Sequence, residues 1–246
     1  MPTVKHAIKI FFDHDRPDFV LPQQWIADRF RLFADTTLPS ILGQTFQDFR
    51  IWMICGQRHK DFTAALPWHD RCERIYDHCE AELAKIDADY IAITRIDSDD
   101  LMHEDAMREV AETPVLSPDR RRATIFRQTL AWNVPNRFVG PRYRPDTPFV
   151  TQFLPRCIYR DHDKFLKVNN VTHGNLGGRD ADTVELSADK ICVVKHAVNI
   201  TTVYHGRDVV ILTDEQREKL RSKGDILTDD PAEMLRILKP FGITKL

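Results

Sequence analysis

Short apolar runs alternate along the chain with stretches in which apolar residues recur every three or four positions. His6–Phe12 is mostly apolar and reads as a buried strand, followed by the polar turn Asp13-His14-Asp15-Arg16-Pro17. Trp25, Ile26, Phe30 and Phe33 then recur at helical spacing, with Asp28, Arg29 and Arg31 between them assigned mostly to the solvated side. Thr36–Leu42 reads as a second helical turn, with Pro39 tolerated near its start. Gln44–Asp48 is a loop and Phe49–Cys55 a strand. Asp70 and Glu73 stand in capping-box spacing, which predicts a helix that continues with Ile75, Cys79, Leu83 and Ile86 on one face. Tyr90–Ile93 opens another buried strand, reaching about residue 96, and a helix from about Met102 is stopped by Pro114.

Strand–helix–strand–helix–strand is a wound α/β order, so a mostly parallel central sheet is expected. The second half is less regular. Arg122–Trp132 and Arg137–Tyr143 read as strands around the Asn133-Val134-Pro135-Asn136 turn. Residues 150–186 have little periodicity and hold Gly174, Gly177 and Gly178, which suits a loop shaping a pocket. Lys190–Val194 is a further buried strand, and Asp214–Lys223 and Pro231–Leu238 read as closing helices. The expectation is a single domain over 1–246: one half at 1–114, a second at 115–212, and closing helices at 213–246.

Composition narrows the class. With 246 residues, 42% of them apolar, the chain can bury a full core. A net charge of −2 gives no argument for nucleic acid as a partner. No apolar run approaches the roughly 18 residues that span a bilayer, and the N-terminus lacks a basic segment followed by an apolar core. The five cysteines, Cys55, Cys72, Cys79, Cys157 and Cys192, show no close metal-ligand spacing, and their odd number fits a reducing cytoplasm.

The candidate chemistry lies at the end of the third strand. Asp97, Asp99 and Asp100 put three carboxylates within four residues. Like charges packed this closely are expected to meet a cation, a basic group or water. In open α/β sheets, ligands bind at the carboxyl ends of strands. Oxygen-only ligands there suit magnesium or manganese together with substrate phosphates. The alternative is a solvated acidic turn.

Three segments resemble one family. Thr37–Phe49, Arg95-Ile96-Asp97-Ser98-Asp99-Asp100, and Ile191–Thr201 with its His196 and Asn199 are similar, in that order, to motifs of the putative rhamnosyltransferases, nucleotide-sugar glycosyltransferases of the GT-A fold. The region 133–186 aligns only loosely with them. The resemblance implies a Rossmann-like GT-A domain that moves a sugar, rhamnose being one candidate, from a nucleoside diphosphate to a glycan or carrier-linked hydroxyl. It places the chain in polysaccharide biosynthesis; with the cytoplasm expected from the cysteines, peripheral membrane contact is needed where the acceptor is membrane-borne. It also implies roles for residues. Asp97 and Asp99 hold a divalent cation, manganese or magnesium, with His196 either a third ligand or a structural His hydrogen-bonded at its strand end, and His205 as the fallback. The cation neutralises charge growing on the leaving diphosphate. Asp13, Arg95, Asp97, Asp99 and Asp100 form the donor side. Asp100 either bonds sugar hydroxyls or caps the following helix, and Arg95 either pairs within the motif or reaches a phosphate. An inverting transfer needs a general base, with Asp180, His173 and Asp182 as candidates. Two rival classes stay open: a nucleotidyltransferase, although no glycine-rich phosphate loop follows the first strand, and a non-catalytic sugar-binding domain of the same fold.

Overall fold

The computed structural model describes residues 2–13, 20–76, 79–143, 149–169, 183–196 and 210–246. Strand β1 (Val4–Asp13) runs into helix α1 (Gln23–Leu32), which continues through a five-residue π turn, Phe33–Thr37, into α2 (Leu38–Leu42). β2 (Phe49–Cys55) pairs parallel to β1, and α3 (Lys60–Ala64) leads to β3 (Cys72–Ile75), parallel to β2. After α4 (Glu80–Ala84), β4 (Tyr90–Asp97) enters on the other side of β1, again parallel, in the register Lys9 opposite Arg95 and Phe11 opposite Asp97. β5 (Leu101–Met102) and α5 (Ala106–Glu112) follow, then β6 (Arg122–Ile125), β7 (Gln128–Asn133), β8 (Phe138–Tyr143) and β9 (Val150–Pro155). Helices α6 (Arg156–Tyr159) and α7 (His162–Asn169) precede β10 (Thr183–Glu185) and β11 (Ile191–Lys195), and α8 (Asp214–Ser222) and α9 (Pro231–Leu238) end the described chain.

Among the described residues, seven strands form the central sheet in the order β10-β6-β9-β4-β1-β2-β3, and β5-β11-β7-β8 form a second sheet of four. Only β9 runs against its neighbours in the central sheet, so it is mostly parallel, as the alternation of strands and helices required. Both faces are covered, which is why β1, β2 and β4 read as nearly continuous apolar runs. Ile8, Ile10, Ile51, Met53, Ala92 and Ile96 pack on one face against Ile26 and Phe30 of α1 and Met107 and Val110 of α5. Ala7, Trp52, Ile91 and Leu154 pack on the other face with Leu83, Ile158 and Phe165. The second sheet has its own core, in which Leu130, Val139 and Val194 meet Met234, Leu238 and Phe241.

Three local expectations change. The helix expected from Asp70 is instead strand β3, with α4 beginning only at Glu80. Ile75, Cys79, Leu83 and Ile86 do share one core, but Ile75 reaches it from a strand edge. The helix expected from Met102 begins at Ala106, because Leu101 and Met102 pair with Cys192 and Ile191. Residues 150–169, read as loop, carry β9, α6 and α7. β9 is buried on both faces and too short for its period to stand out. Among the described residues, no helix is long and apolar enough to cross a membrane.

Candidate functional site

The turn after β4 is built from four residues whose side chains go to different places. Its backbone closes with the Asp100 amide donating to the Asp97 carbonyl at 3.2 Å. Ser98 is fully buried. Its hydroxyl accepts from Arg29 Nε at 2.9 Å, and its carbonyl accepts from the Thr37 hydroxyl at 3.2 Å. The π turn is what brings Thr37 to this point, and such turns recur at functional sites.

Asp99 is buried with Arg29 and His196. Arg29 Nη1 donates to Asp99 Oδ2 at 2.7 Å, and His196 Nε2 lies 2.9 Å from the same oxygen. Burial works against ionisation here, but the Arg29 guanidinium and His196 outweigh it and hold the carboxyl at about 2. Arg29, expected on the solvated side, is buried instead. Its position, four residues after Trp25 and three after Ile26, lies on the apolar face, and that was the available signal.

Asp100 is buried too, and Oδ1 accepts the Val194 amide of β11 at 3.0 Å. Burial, followed by the charges of Asp99 and Asp97, raises its carboxyl well above the usual range. It does not cap the next helix, whose N-cap is Asp105.

Asp97 differs from all three. Its side chain is 37% exposed, and Oδ1 lies 3.9 Å from Arg95 Nη2. Arg95 stacks on Phe11, 4.6 Å from the ring centre, and burial lowers its pKa while Asp97 opposes the shift. Lys9 Nζ lies 4.9 Å from the centre of the same ring, and burial brings its amine down to about 8. Lys9, Phe11, Arg95 and Gln152 line a cavity of about 20 Å³, room for roughly one water.

Asp13 ends β1 fully buried. Oδ1 accepts the Gly56 amide at 2.9 Å, and His59 Nδ1 lies 3.4 Å from Oδ2. It therefore joins the carboxyl ends of β1 and β2, next to the motif at the end of β4. Asp180, His173, Asp182 and His205 lie outside the described residues.

The expected ligand set is thus only partly assembled. His196 reaches Asp99 across about a hundred residues of chain, but the oxygen they share is already held by Arg29. Asp97 sits on the strand face of Arg95 and Lys9. A divalent ion fits Asp97, since magnesium-type sites use one or two carboxylates together with substrate phosphates. At Asp99, Arg29 and His196 share Oδ2, so an ion there would be left Oδ1 and would compete with the Arg29 charge. Among the described residues, no group of three or more His, Cys, Asp or Glu side chains is arranged to hold a metal.

Comparison with known proteins adds a family. A family model described as "Putative rhamnosyl transferase" matches residues 13–199. No curated protein matches. The fold is similar to Rv0371C of Mycobacterium tuberculosis H37Rv in complex with manganese (13% identity, 83% of this chain and 97% of that one, TM-score 0.35). It is also similar to HddC from Yersinia pseudotuberculosis (12% identity, 81% and 96%, TM-score 0.38). A third likeness is the glycosyltransferase GlyE of Streptococcus pneumoniae TIGR4 (10% identity, 92% and 66%, TM-score 0.36).

Proposed function

The chain belongs to the family described as "Putative rhamnosyl transferase", and we propose on that premise that it moves a hexose, rhamnose among the candidates, from a nucleoside-diphosphate donor to a hydroxyl of a glycan or carrier-linked acceptor. The observation that supports this most directly is the position of Asp97. It is the one carboxylate of the motif with a substantially exposed side chain, at the carboxyl end of a central parallel strand.

Each donor-side residue has a role in this reading. Asp97 meets the donor, through ribose or sugar hydroxyls or through a divalent cation shared with the diphosphate. Such a cation, manganese or magnesium, would neutralise charge on the leaving diphosphate. Arg95, beside Asp97, places a positive charge next to the same group. Asp13 holds the ends of β1 and β2 together at the nucleotide's side of the sheet. Asp99 and Asp100 act through the turn they fix, because both are tied to protein atoms. The general base comes from Asp180 or His173. The donor half is 1–114, the acceptor half 115–212, and residues 213–246 close the second sheet. A cytoplasmic location belongs to the same proposal and rests on the five free thiols. Peripheral contact would then bring the enzyme to a membrane-borne acceptor.

Release of nucleoside diphosphate from a panel of nucleotide sugars, with manganese, with magnesium and with chelator, tests the reading. Release from one donor, dependent on an added hydroxyl acceptor, is the expected result. Pyrophosphate release from a nucleoside triphosphate and a sugar phosphate would overturn it in favour of a nucleotidyltransferase.

A further inference from the structure

The acidic turn already contains a cation from the chain itself. Arg29 projects from α1 beneath the turn and is 6% exposed. Nε and Nη1 grip Ser98 Oγ at 2.9 Å and Asp99 Oδ2 at 2.7 Å, and the guanidinium carbon lies 5.8 Å from the Trp25 ring. His196 Nε2 stands 2.9 Å from that same Oδ2 and 3.4 Å from Arg29 Nη1. Arg29 and His196 both engage Oδ2, so a divalent ion at Asp99 would be left Oδ1 and would sit beside a fixed positive charge in a buried setting.

We propose that Arg29 is a positioning residue that fills, from inside the fold, the place at Asp99 that a divalent cation would otherwise take, leaving Asp97 as the motif's substrate-facing carboxylate. The role of Asp97 rests on the donor-site reading above, whereas the role of Arg29 rests on the contacts alone. With Asp99 neutralised internally, two carboxylates can stand two residues apart without the turn opening. The fork of the guanidinium matters, because two adjacent N–H donors engage two consecutive residues, which an ammonium on a longer stem cannot reproduce.

Manganese binding to the ligand-free protein, followed by calorimetry, tests this. The wild type, Arg29→Met, Asp99→Asn and the double variant are compared. Arg29→Met removes the guanidinium from Asp99 and is expected to bind manganese at least about tenfold more tightly than the wild type. The double variant is expected to return to within about threefold of the wild type. Asp99→Asn alone should also stay within about threefold, because the amide oxygen still accepts from Arg29. A wild-type isotherm too weak to fit agrees with the proposal, and Arg29→Met then decides by itself. If Arg29→Met does not fold, Arg29→Gln, which keeps a donor but removes the charge, takes its place with the same expectation. The proposal is overturned if the arginine variant binds manganese no more tightly than the wild type, or if Asp99→Asn alone loses tenfold. Sugar transfer is not measured, so failure of the transferase reading would leave these isotherms unmoved, and the reverse also holds.

Discussion

Asp97 and Asp99 carry the same carboxylate two residues apart, yet their surroundings give them different work. Asp99 is closed in by Arg29 and His196, whereas the Asp97 side chain is 37% exposed beside Arg95. Removing one partner of a buried ion pair leaves the other charge unpaired, which costs about 3–5 kcal/mol. Asp99→Ala is therefore expected to lower unfolding free energy by about that amount in urea. Asp97→Ala should change stability by less than about 0.5 kcal/mol, as surface substitutions do. Ligand binding should show the opposite ranking for Asp97. Asp97→Asn is expected to weaken nucleoside-diphosphate affinity about tenfold or more, with an unchanged melting profile. Equal affinity in that variant would remove Asp97 from the donor site. The carboxylates were visible in the sequence, and so was the strand that presents them. Their division into one outward group and two anchors was not, because it depends on α1, the π turn and β11 converging from distant positions. His196 was placed near Asp99 by motif order, and it does lie there. Arg29 could have been recognised only by giving its helical phase more weight than its charge.

Among elements, β1 was legible because both of its faces are buried, and β3 was misread because four residues at a sheet edge are too few to show a period of two. β1 also carries a titrating group. His6 packs edge-on against Phe46 with ring centres 5.0 Å apart, and burial is the main cause of a pKa lowered to about 4. The folded ring thus resists protonation that the unfolded ring accepts near 6.5. Its contribution is complete above that pH and is lost as pH falls from 6.5 towards 4. His6→Phe is expected to flatten the acid limb of stability across this window by about 2–3 kcal/mol, seen as a smaller drop in denaturation midpoint between pH 7 and pH 4.5. An unchanged slope would mean that other groups dominate that limb. β8 tests a different contact. A Cβ on Gly140 would lie 2.0 Å from the Asp225 carbonyl oxygen, and that backbone belongs to the segment whose Leu227 and Thr228 amides donate to Val139. Gly140→Ala must push the 224–228 segment off the sheet edge, and a loss of about 2–4 kcal/mol in thermal or urea unfolding is expected.

At the scale of the whole molecule, the two sheets meet at the acidic turn. β4 belongs to the central sheet, yet the residues after its end, Leu101 and Met102, pair with β11 of the second sheet. Asp100 binds the Val194 amide, and His196, just past β11, reaches Asp99. The residues from α9 onward hold that second sheet in place: Met234, Leu238, Phe241 and Ile243 are buried against β7, β8 and β11. They also touch the first half of the chain, where the Glu104 amide donates to the Pro240 carbonyl at 2.8 Å. Gly242, in the left-handed region at φ 81°, lets the backbone pass α2, where a Cβ would stand 3.2 Å from the Ser40 nitrogen. Burying an apolar side chain of this size contributes about 1.5–3 kcal/mol, so these four together contribute roughly 6–12 kcal/mol. That is comparable to the whole stability of a typical domain, about 5–15 kcal/mol. α9 and the residues after it are therefore an integral part of the second sheet's core. A chain cut after residue 212 is expected to lose its sharp thermal transition and its nucleoside-diphosphate binding together, because β11 would no longer hold Asp100 and His196 in place. Supplying residues 213–246 as a separate peptide should restore both in proportion. A truncated chain that melts cooperatively and binds the nucleotide with full affinity would show that the central sheet alone positions Asp97, and that the second sheet serves another purpose.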